Sequence, residues 1–404
     1  MINISDKENC CGCSACVQKC PKQCITLKED NEGFLYPLVD KDKCIDCGLC
    51  EKVCPVLHQN ESRKPLKVYA AINKNEEIRR QSSSGGVFTL LAEKIINEGG
   101  VVFGARFDDS WEVMHDYTDT IEGLAAFRGS KYVQSRIEDN FQKAENFLKE
   151  GRKVLFSGTP CQIAGLKSYL RKDYDNLLAV DFICHGVPSP GVWRRYLKET
   201  IARQCEKKSV SSDPISNENA RVESISFRDK RSGWEKFSFA LTLSATTRNG
   251  IKNTVSLCQV YHENLFMKGF LADLFLRPSC HHCPTKNIKS GSDITIADFW
   301  KIEDIIPDIN SIDNGVSCLL LNTTNGINLF SLIYPFVDCR EADFEYVCKY
   351  NKALYISSKK PEKRIDFYKK IQRHEISSTI NEFTKRSLIL RFKNRIIKYL
   401  KNLK

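Results

Sequence analysis

Two matched cysteine runs near the start constrain this chain more than anything else in it. Cys10, Cys13, Cys16 and Cys20 precede Pro21, and Cys44, Cys47, Cys50 and Cys54 precede Pro55, each run reading Cys-x-x-Cys-x-x-Cys-x-x-x-Cys-Pro. Two residues between thiolates let one tight loop wrap the corner of an iron–sulfur cube, so each run offers three ligands to one cluster. The fourth Cys, one helical step further on, faces the other cluster, and the Pro turns the chain away. Zinc is the rival, since Cys-x-x-Cys pairs also bind Zn²⁺ tetrahedrally. Zinc needs only two such pairs, however, and leaves the third Cys and the Cys-Pro ending unexplained. Cys11 and Cys24 fall outside the spacing and read as spares.

The matched runs resemble a bacterial two-cluster ferredoxin. On that resemblance one [4Fe–4S] cluster takes Cys10, Cys13, Cys16 and Cys54, and the other takes Cys44, Cys47, Cys50 and Cys20.

The chain has 404 residues, enough for a small module and one or two larger units, and its 42% hydrophobic content is ordinary for a soluble globular protein. No window approaches the roughly 18 uncharged apolar residues of a membrane span. The opening MINISDKENCC lacks the basic lead and apolar core of a signal peptide. Nineteen Cys are therefore expected as thiols or metal ligands in a reducing cytoplasm, not as a disulfide framework. The net charge of +11 is a tail property: residues 385–404 carry eight Lys or Arg and no acid, which leaves +3 elsewhere. Broad nucleic-acid binding, which calls for a basic face interleaved with aromatics, is not expected.

The fold class expected is an α+β ferredoxin-like module (1–57), an α/β flavin-binding domain (66–325) and a mostly helical C-terminal region (326–404). Within the module ITLKEDNEGFLYPLVD alternates as a hairpin turning at Asn31, Glu32 and Gly33, and QNESRKP (59–65) reads as a linker. Strands VYAAI, VVFGARF, EVMHDYT, KVLFSG and LLAVDFIC then alternate with helices at 87–99, about 137–150, 162–170 and after Pro190. That order argues for α/β layers with right-handed crossovers. EKKSVSSDPISNENA (206–220) reads as a surface insertion, and 221–258 as a β-meander. NLFMKGFLADLFL reads as a helix, DITIADFW and GVSCLLLN as strands.

Four further Cys stand at telling places. Thr159 and Pro160 read as N-cap and first residue of a helix, which puts Cys161 in a first turn that favours a thiolate. Cys184 ends a strand in Cys184-His185-Gly186, and Cys280 and Cys283 form a two-residue-spaced pair. Together they could ligate a third cube. The alternatives from spacing are a Cys280/Cys283 dithiol, a zinc site using His281 or His282, and a lone nucleophile at Cys161. Cys205, Cys258, Cys318, Cys339 and Cys348 read as core thiols.

SSSGGVFTLLA, FRGSKYVQS, FSGTPCQIAGL, ICHGVPSP and CHHCPTK, in that order, resemble the coenzyme F420 hydrogenase/dehydrogenase beta subunit family. The resemblance covers roughly residues 66–325 and implies FAD beside a [4Fe–4S] cluster held by Cys161, Cys184, Cys280 and Cys283. Ser83, Ser84, Gly85 and Gly86 fall at the family's flavin segment; without the family they read as an ordinary Ser helix cap. Arg128, Gly129, Ser130, Lys131 and Tyr132 match its Gly-x-Lys-Tyr loop. The resemblance casts Lys131 as the stabiliser of an anionic reduced flavin; the residue alone reads as a solvated charge. Asp298, with Trp300, suggests a flavin or substrate contact, or equally a strand-end carboxylate capping a helix.

The cofactor order implies single electrons arriving from ferredoxin or another low-potential donor, pairing on FAD, and leaving as hydride to a small organic acceptor, or the reverse. The acceptor implied is coenzyme F420 or a polysaccharide-biosynthesis intermediate. A non-enzymatic relay subunit serving a catalytic partner is the alternative, and a homo-oligomer or subunit of a complex is expected. In the tail, Leu388, Ile389, Phe392, Ile396, Ile397, Leu400 and Leu403 have helical spacing opposite Lys and Arg. Such a helix lies on an anionic membrane at the inner face, or docks on protein.

Overall fold

The structure is a computed structural model describing residues 1–208, 220–246, 252–304 and 312–385. The expected insertion falls mostly, and the amphipathic tail almost wholly, outside these residues.

The N-terminal module is built from two one-turn helices and a hairpin. Helix α1 (Ala15–Gln18) follows the first cysteine loop, β1 (Ile25–Glu29) and β2 (Leu35–Val39) pair antiparallel with Ile25 opposite Val39, and α2 (Leu49–Lys52) follows the second loop. The hairpin turns where the sequence placed it, with Asp30 Oδ1 accepting from the N–H groups of Glu32 and Phe34. The linker is not free. Asn60 donates to the Lys289 carbonyl at 2.9 Å and Arg63 to the Ile288 carbonyl at 3.1 Å.

From β3 (Lys67–Asn73) the chain enters an eight-stranded sheet. Helices α3 (Glu76–Gln81) and α4 (Val87–Asn97) lead to the hairpin β4 (Val101–Phe107) and β5 (Val113–Thr118). Helix α5 (Asn140–Lys149), β6 (Val154–Gly158), α6 (Pro160–Leu170), β7 (Leu177–Phe182) and the long α7 (Pro190–Lys208) follow. Strands β8 (Arg221–Asp229), β9 (Ser238–Thr246) and β10 (Lys252–Val260) form a separate antiparallel meander, as expected. Helix α8 (Leu265–Leu271), β11 (Ile294–Asp298), β12 (Ser317–Leu321), α9 (Thr324–Ile333), β13 (Val337–Glu341), α10 (Phe344–Tyr350), α11 (Arg364–Ile371) and α12 (Ile376–Thr384) complete the described chain.

The large sheet runs β13-β3-β12-β11-β7-β6-β4-β5 and is mixed. Its centre, β11-β7-β6-β4, is parallel; both flanks are antiparallel. The central strands are apolar on both faces because both are covered. Leu155, Leu178 and Val180 pack with α4 and α9, while Val154, Phe156, Leu177 and Ala179 pack with α5, α6 and the module's Ala15 and Val53. The described part of the region after 326 is mostly helical and adds one strand, β13, to the sheet beside β3. One expectation changes. The helix expected over 264–276 ends at Leu271, and Asp273 turns with φ 59°.

Candidate redox and cofactor sites

Each N-terminal quartet surrounds its own cavity. Cys20, Cys44, Cys47 and Cys50 line one, and Cys10, Cys13, Cys16 and Cys54 line the other. These are the two crossed sets that the spacing implies, with the fourth Cys of each run delivered to the other loop. Cys16 is pushed up to about 12 by burial and by Cys10, Cys54 and Cys50 around it. Thiols that oppose one another's ionisation need a cationic centre to be held as thiolates, so the donor set suits an iron–sulfur core. The supposed spares are close by: Cys24 Sγ lies 3.4 Å from Cys20 Sγ, and buried Cys11 hydrogen-bonds with Cys13 and Cys161.

The third set is assembled by the sheet. Strands β6 and β7 are parallel neighbours, so Cys161 and Cys184 emerge side by side at their carboxyl ends. Thr159 and Gln162 close a capping box and Pro160 opens α6. Cys280 is brought in because residues 275–277 pair with 187–189: Ser189 N–H donates to the Phe275 carbonyl and Arg277 N–H to the Val187 carbonyl. Val187 N–H then points at Cys280 Sγ, 3.4 Å away. Burial raises Cys184, with Cys280, Cys161 and Cys283 adding to the effect, and burial pushes Cys280 up to about 12. The activated thiolate expected at Cys161 is corrected. Its hydrogen bond with the Cys11 thiol, then burial, raises it well above the usual thiol range despite its place in the first turn. The His-assisted zinc alternative does not assemble: His281 Nδ1 bonds the Ser358 carbonyl, and exposed His282 pairs with Glu8. Among the described residues no three His, Cys, Asp or Glu side chains converge as ligands of a single ion.

Helix α6 also touches the module. A Cβ on Gly165 would lie 2.7 Å from Cys13 Cβ, so only glycine lets the first cysteine loop sit this close to the Cys161 helix.

The remaining candidates gather along the same sheet edge, where β3 and β11 end and β12 begins. Ser84 Oγ donates to the Val316 carbonyl and Gly85 N–H to Ser317 Oγ, which pins the Ser83–Gly86 segment into the sheet. Gly86, with φ 81°, is the N-cap of α4 and no side chain caps that helix, so the Ser cap does not form. Ser130 donates to Ser83 Oγ through both its N–H and its hydroxyl, at 2.7 and 2.9 Å. Arg128 bonds Thr89 and Gln81. The half-buried Lys131 ammonium donates to the carbonyls of Ala126, Arg128 and Gly129, and burial pushes it down to about 7. Asp298 caps no helix; it pairs with Arg228 at 2.8 Å and accepts from Trp234 Nε1 at 3.3 Å. Trp300 stacks on Trp234 with ring centres 5.1 Å apart.

The meander supplies two residues that the sequence did not single out. Arg228 also donates to the Ser83 carbonyl, while its buried Nε has no partner among the described residues. Lys230 donates to the carbonyls of Arg79, Ser84 and Asn314, and burial lowers it to about 7. An aromatic path joins the two places: Tyr132 stacks on Phe270 at 4.9 Å, Phe270 meets His185 edge-on at 5.3 Å, and His185 follows Cys184.

Residues 9–57 match the 4Fe-4S dicluster domain, and a second match of that description, over 40–98, overlaps it. Residues 151–335 match the C terminus of the coenzyme F420 hydrogenase/dehydrogenase beta subunit. Over residues 151–335 the chain is therefore similar to the coenzyme F420 hydrogenase/dehydrogenase beta subunit family. It is an iron–sulfur, oxidoreductase-like protein with an N-terminal 4Fe–4S region. The family match contains Cys161, Cys184, Cys280, Cys283, Arg228, Lys230 and Asp298; the segments 83–86 and 128–132 precede it. One similar solved structure is titled the xenon derivatization of the F420-reducing [NiFe] hydrogenase complex from Methanosarcina barkeri. It is 17% identical, covers 76% of this chain and 91% of its own, and has a TM-score of 0.44. No curated protein matches.

Among the described residues no helix is long and apolar enough to cross a membrane. Of the Cys read as core thiols, Cys205 and Cys318 are buried, whereas Cys258 is exposed because it stands on β10, at the meander's edge.

Proposed function

We propose that this protein is a member of the coenzyme F420 hydrogenase/dehydrogenase beta subunit family and a flavin-dependent iron–sulfur oxidoreductase with three [4Fe–4S] clusters and one FAD, exchanging hydride with a small organic acceptor. The observation that supports the flavin reading is the pair of cations, Arg228 and Lys230, held on the Ser83 and Ser84 carbonyls at the same sheet edge as the third Cys quartet. An unpartnered, buried Arg228 Nε beside a buried lysine suits an anionic phosphate or flavin edge. Cys161, Cys184, Cys280 and Cys283 would hold the third cluster. When bound, clusters carry one electron each and a flavin pairs two for hydride transfer.

The chain's own residues do the rest. Arg228 fixes Asp298 and the Ser83 carbonyl in one array, and the Trp234–Trp300 stack walls it. Lys230, poised near neutrality, can hold or release a proton there at Nζ. Ferredoxin or a partner subunit is the proposed electron donor, reaching the chain through the Cys20/Cys44/Cys47/Cys50 loop, where Cys47 is exposed.

Anaerobic purification with iron, sulfide and flavin counts on one sample tests this reading. About twelve irons and one FAD per chain are expected from three cubes. About eight irons without flavin overturns it. Turnover of deazaflavin or a sugar-linked acceptor by the isolated chain with dithionite then separates an enzyme from a relay subunit.

A further inference from the structure

Arg277 is 1% exposed, one of the largest fully buried side chains in the protein. Its Nε donates to the Cys10 carbonyl at 2.7 Å, Nη1 to Gln134 Oε1 at 2.9 Å, and Nη2 to the Leu35 carbonyl at 2.9 Å. Nη2 also reaches Cys10 Sγ at 3.4 Å, and the guanidinium lies 4.3 Å from the centre of the Tyr36 ring. Gly12 makes room for it, since a Cβ there would stand 2.7 Å from Nη1.

Among the described residues no carboxylate forms an ion pair with Arg277. A buried, unpaired guanidinium is strongly disfavoured, so its counter-charge has to come from elsewhere. The ionisable groups that its charge meets are Tyr36, which burial keeps neutral, and four thiols: Cys10 and Cys11 on the module, Cys161 and Cys280 in the core. The cation therefore sits between the Cys10 quartet and the third quartet, in dry surroundings where charge acts at full strength. The Cys20 quartet differs. Its nearby cations are exposed Lys22 and the Met1 ammonium, and the latter is already paired with Asp46 and Glu51.

We propose that Arg277 is a positioning residue that raises the reduction potential of the centre bound by Cys10, Cys13, Cys16 and Cys54 above that of the centre bound by Cys20, Cys44, Cys47 and Cys50. A fixed positive charge and an N–H···S bond both favour the more negative, reduced state of a cluster. The electron is thereby held at the centre nearer the core. This rests on the cluster reading above.

The test uses anaerobically purified full-length wild type, Arg277→Gln and Arg277→Lys, with iron counted first and midpoints then measured by potentiometric titration with EPR detection. If wild type lacks the N-terminal irons, the cluster reading fails before Arg277 is at issue. With iron present, Arg277→Gln is expected to lower the reduced-to-oxidised ratio of one centre at least tenfold at fixed potential, which is about 59 mV for a one-electron couple. The exposed centre stays within threefold, and Arg277→Lys shifts in the same direction by less. Unmoved midpoints, or an equal shift of both N-terminal centres, overturn the proposal. Should Arg277→Gln not retain iron, Arg277→Lys decides alone, and an unshifted midpoint in it counts against the role.

Discussion

The module's hairpin is locked to the core by one buried ion pair, and breaking it should loosen the hairpin selectively. Arg364 donates to both Glu32 carboxylate oxygens at 2.6 Å and to the Leu276 carbonyl at 2.9 Å, with side-chain exposures of 6% for Arg364 and 15% for Glu32. Removing one partner of a buried pair costs about 3–5 kcal/mol, because the other charge is left uncompensated. Glu32 keeps some access to water, so Arg364→Met is placed at the lower end, about 3 kcal/mol. At about 1.4 kcal/mol per tenfold, hairpin amides that exchange through local opening should exchange roughly a hundredfold faster. Hydrogen–deuterium exchange on the anaerobic, cluster-loaded protein reads this directly, with β6 and β7 as internal controls. Because Glu32 and Arg364 share one interaction, Glu32→Gln added to Arg364→Met should accelerate exchange by less than the product of the two single effects. Unchanged hairpin amides, or equal acceleration in β6 and β7, would refute the reasoning.

Three more outcomes are expected. Cys184→Ser should lower iron by about four per chain while the N-terminal clusters keep their EPR signals, since only the third quartet loses a ligand; loss of all iron would contradict the separate sets. Arg228→Gln should abolish co-purifying flavin, measured as absorbance released on denaturation, because it leaves Asp298 unpaired and withdraws a buried cation; full flavin retention would count against the pocket. Burial raises Asp181 to about 6 despite its hydrogen bond from Thr295, so the folded chain holds this proton between about pH 4 and 6 while the unfolded chain has lost it. Stability therefore falls as pH rises through that window, by roughly 3 kcal/mol for a shift of this size. Asp181→Asn should raise the melting temperature at pH 8 and give a smaller gain at pH 5, and an equal gain at both would show that the carboxylate is not the cause.

What could be read from the sequence was what short-range spacing encodes. A Thr159-Pro160 helix start and a hairpin turn at Gly33 are local chemistry, and both form as read. Cys161 and Cys184 were legible as strand-end residues because both strands are short apolar runs in alternation with helices. The pocket cations were not. Arg228 reaches Ser83 across 145 residues of chain and Lys230 reaches Ser84 across 146, by a meander whose alternation says which residues pair but not where the sheet will lean. Nothing in Phe275-Leu276-Arg277-Pro278 distinguishes a buried arginine from a solvated one; only its distant partners, the Cys10 and Leu35 carbonyls and Gln134, do. Cys11 was set aside because its spacing is wrong for a ligand, which is sound, yet proximity to Cys161 is a tertiary fact that spacing does not carry.

These long-range contacts share a direction: they weld the module to the core. A module that exchanged electrons by diffusion on a tether would present a wet, polar face and a loose linker, as transient redox encounters do. Here Asn60 and Arg63 tie the linker down, Gly165 admits Cys13 to van der Waals contact, and Arg277 spends its N–H groups on the backbone of Cys10 and Leu35. Close packing of this kind resists displacement, because moving the module strands a buried guanidinium as well as apolar surface. The distance between the first cysteine loop and the Cys161 helix is then a property of the fold, not of encounter frequency. Exchange between them should be insensitive to viscosity and ionic strength, and a dependence on either would place a hinge where the structure has a joint.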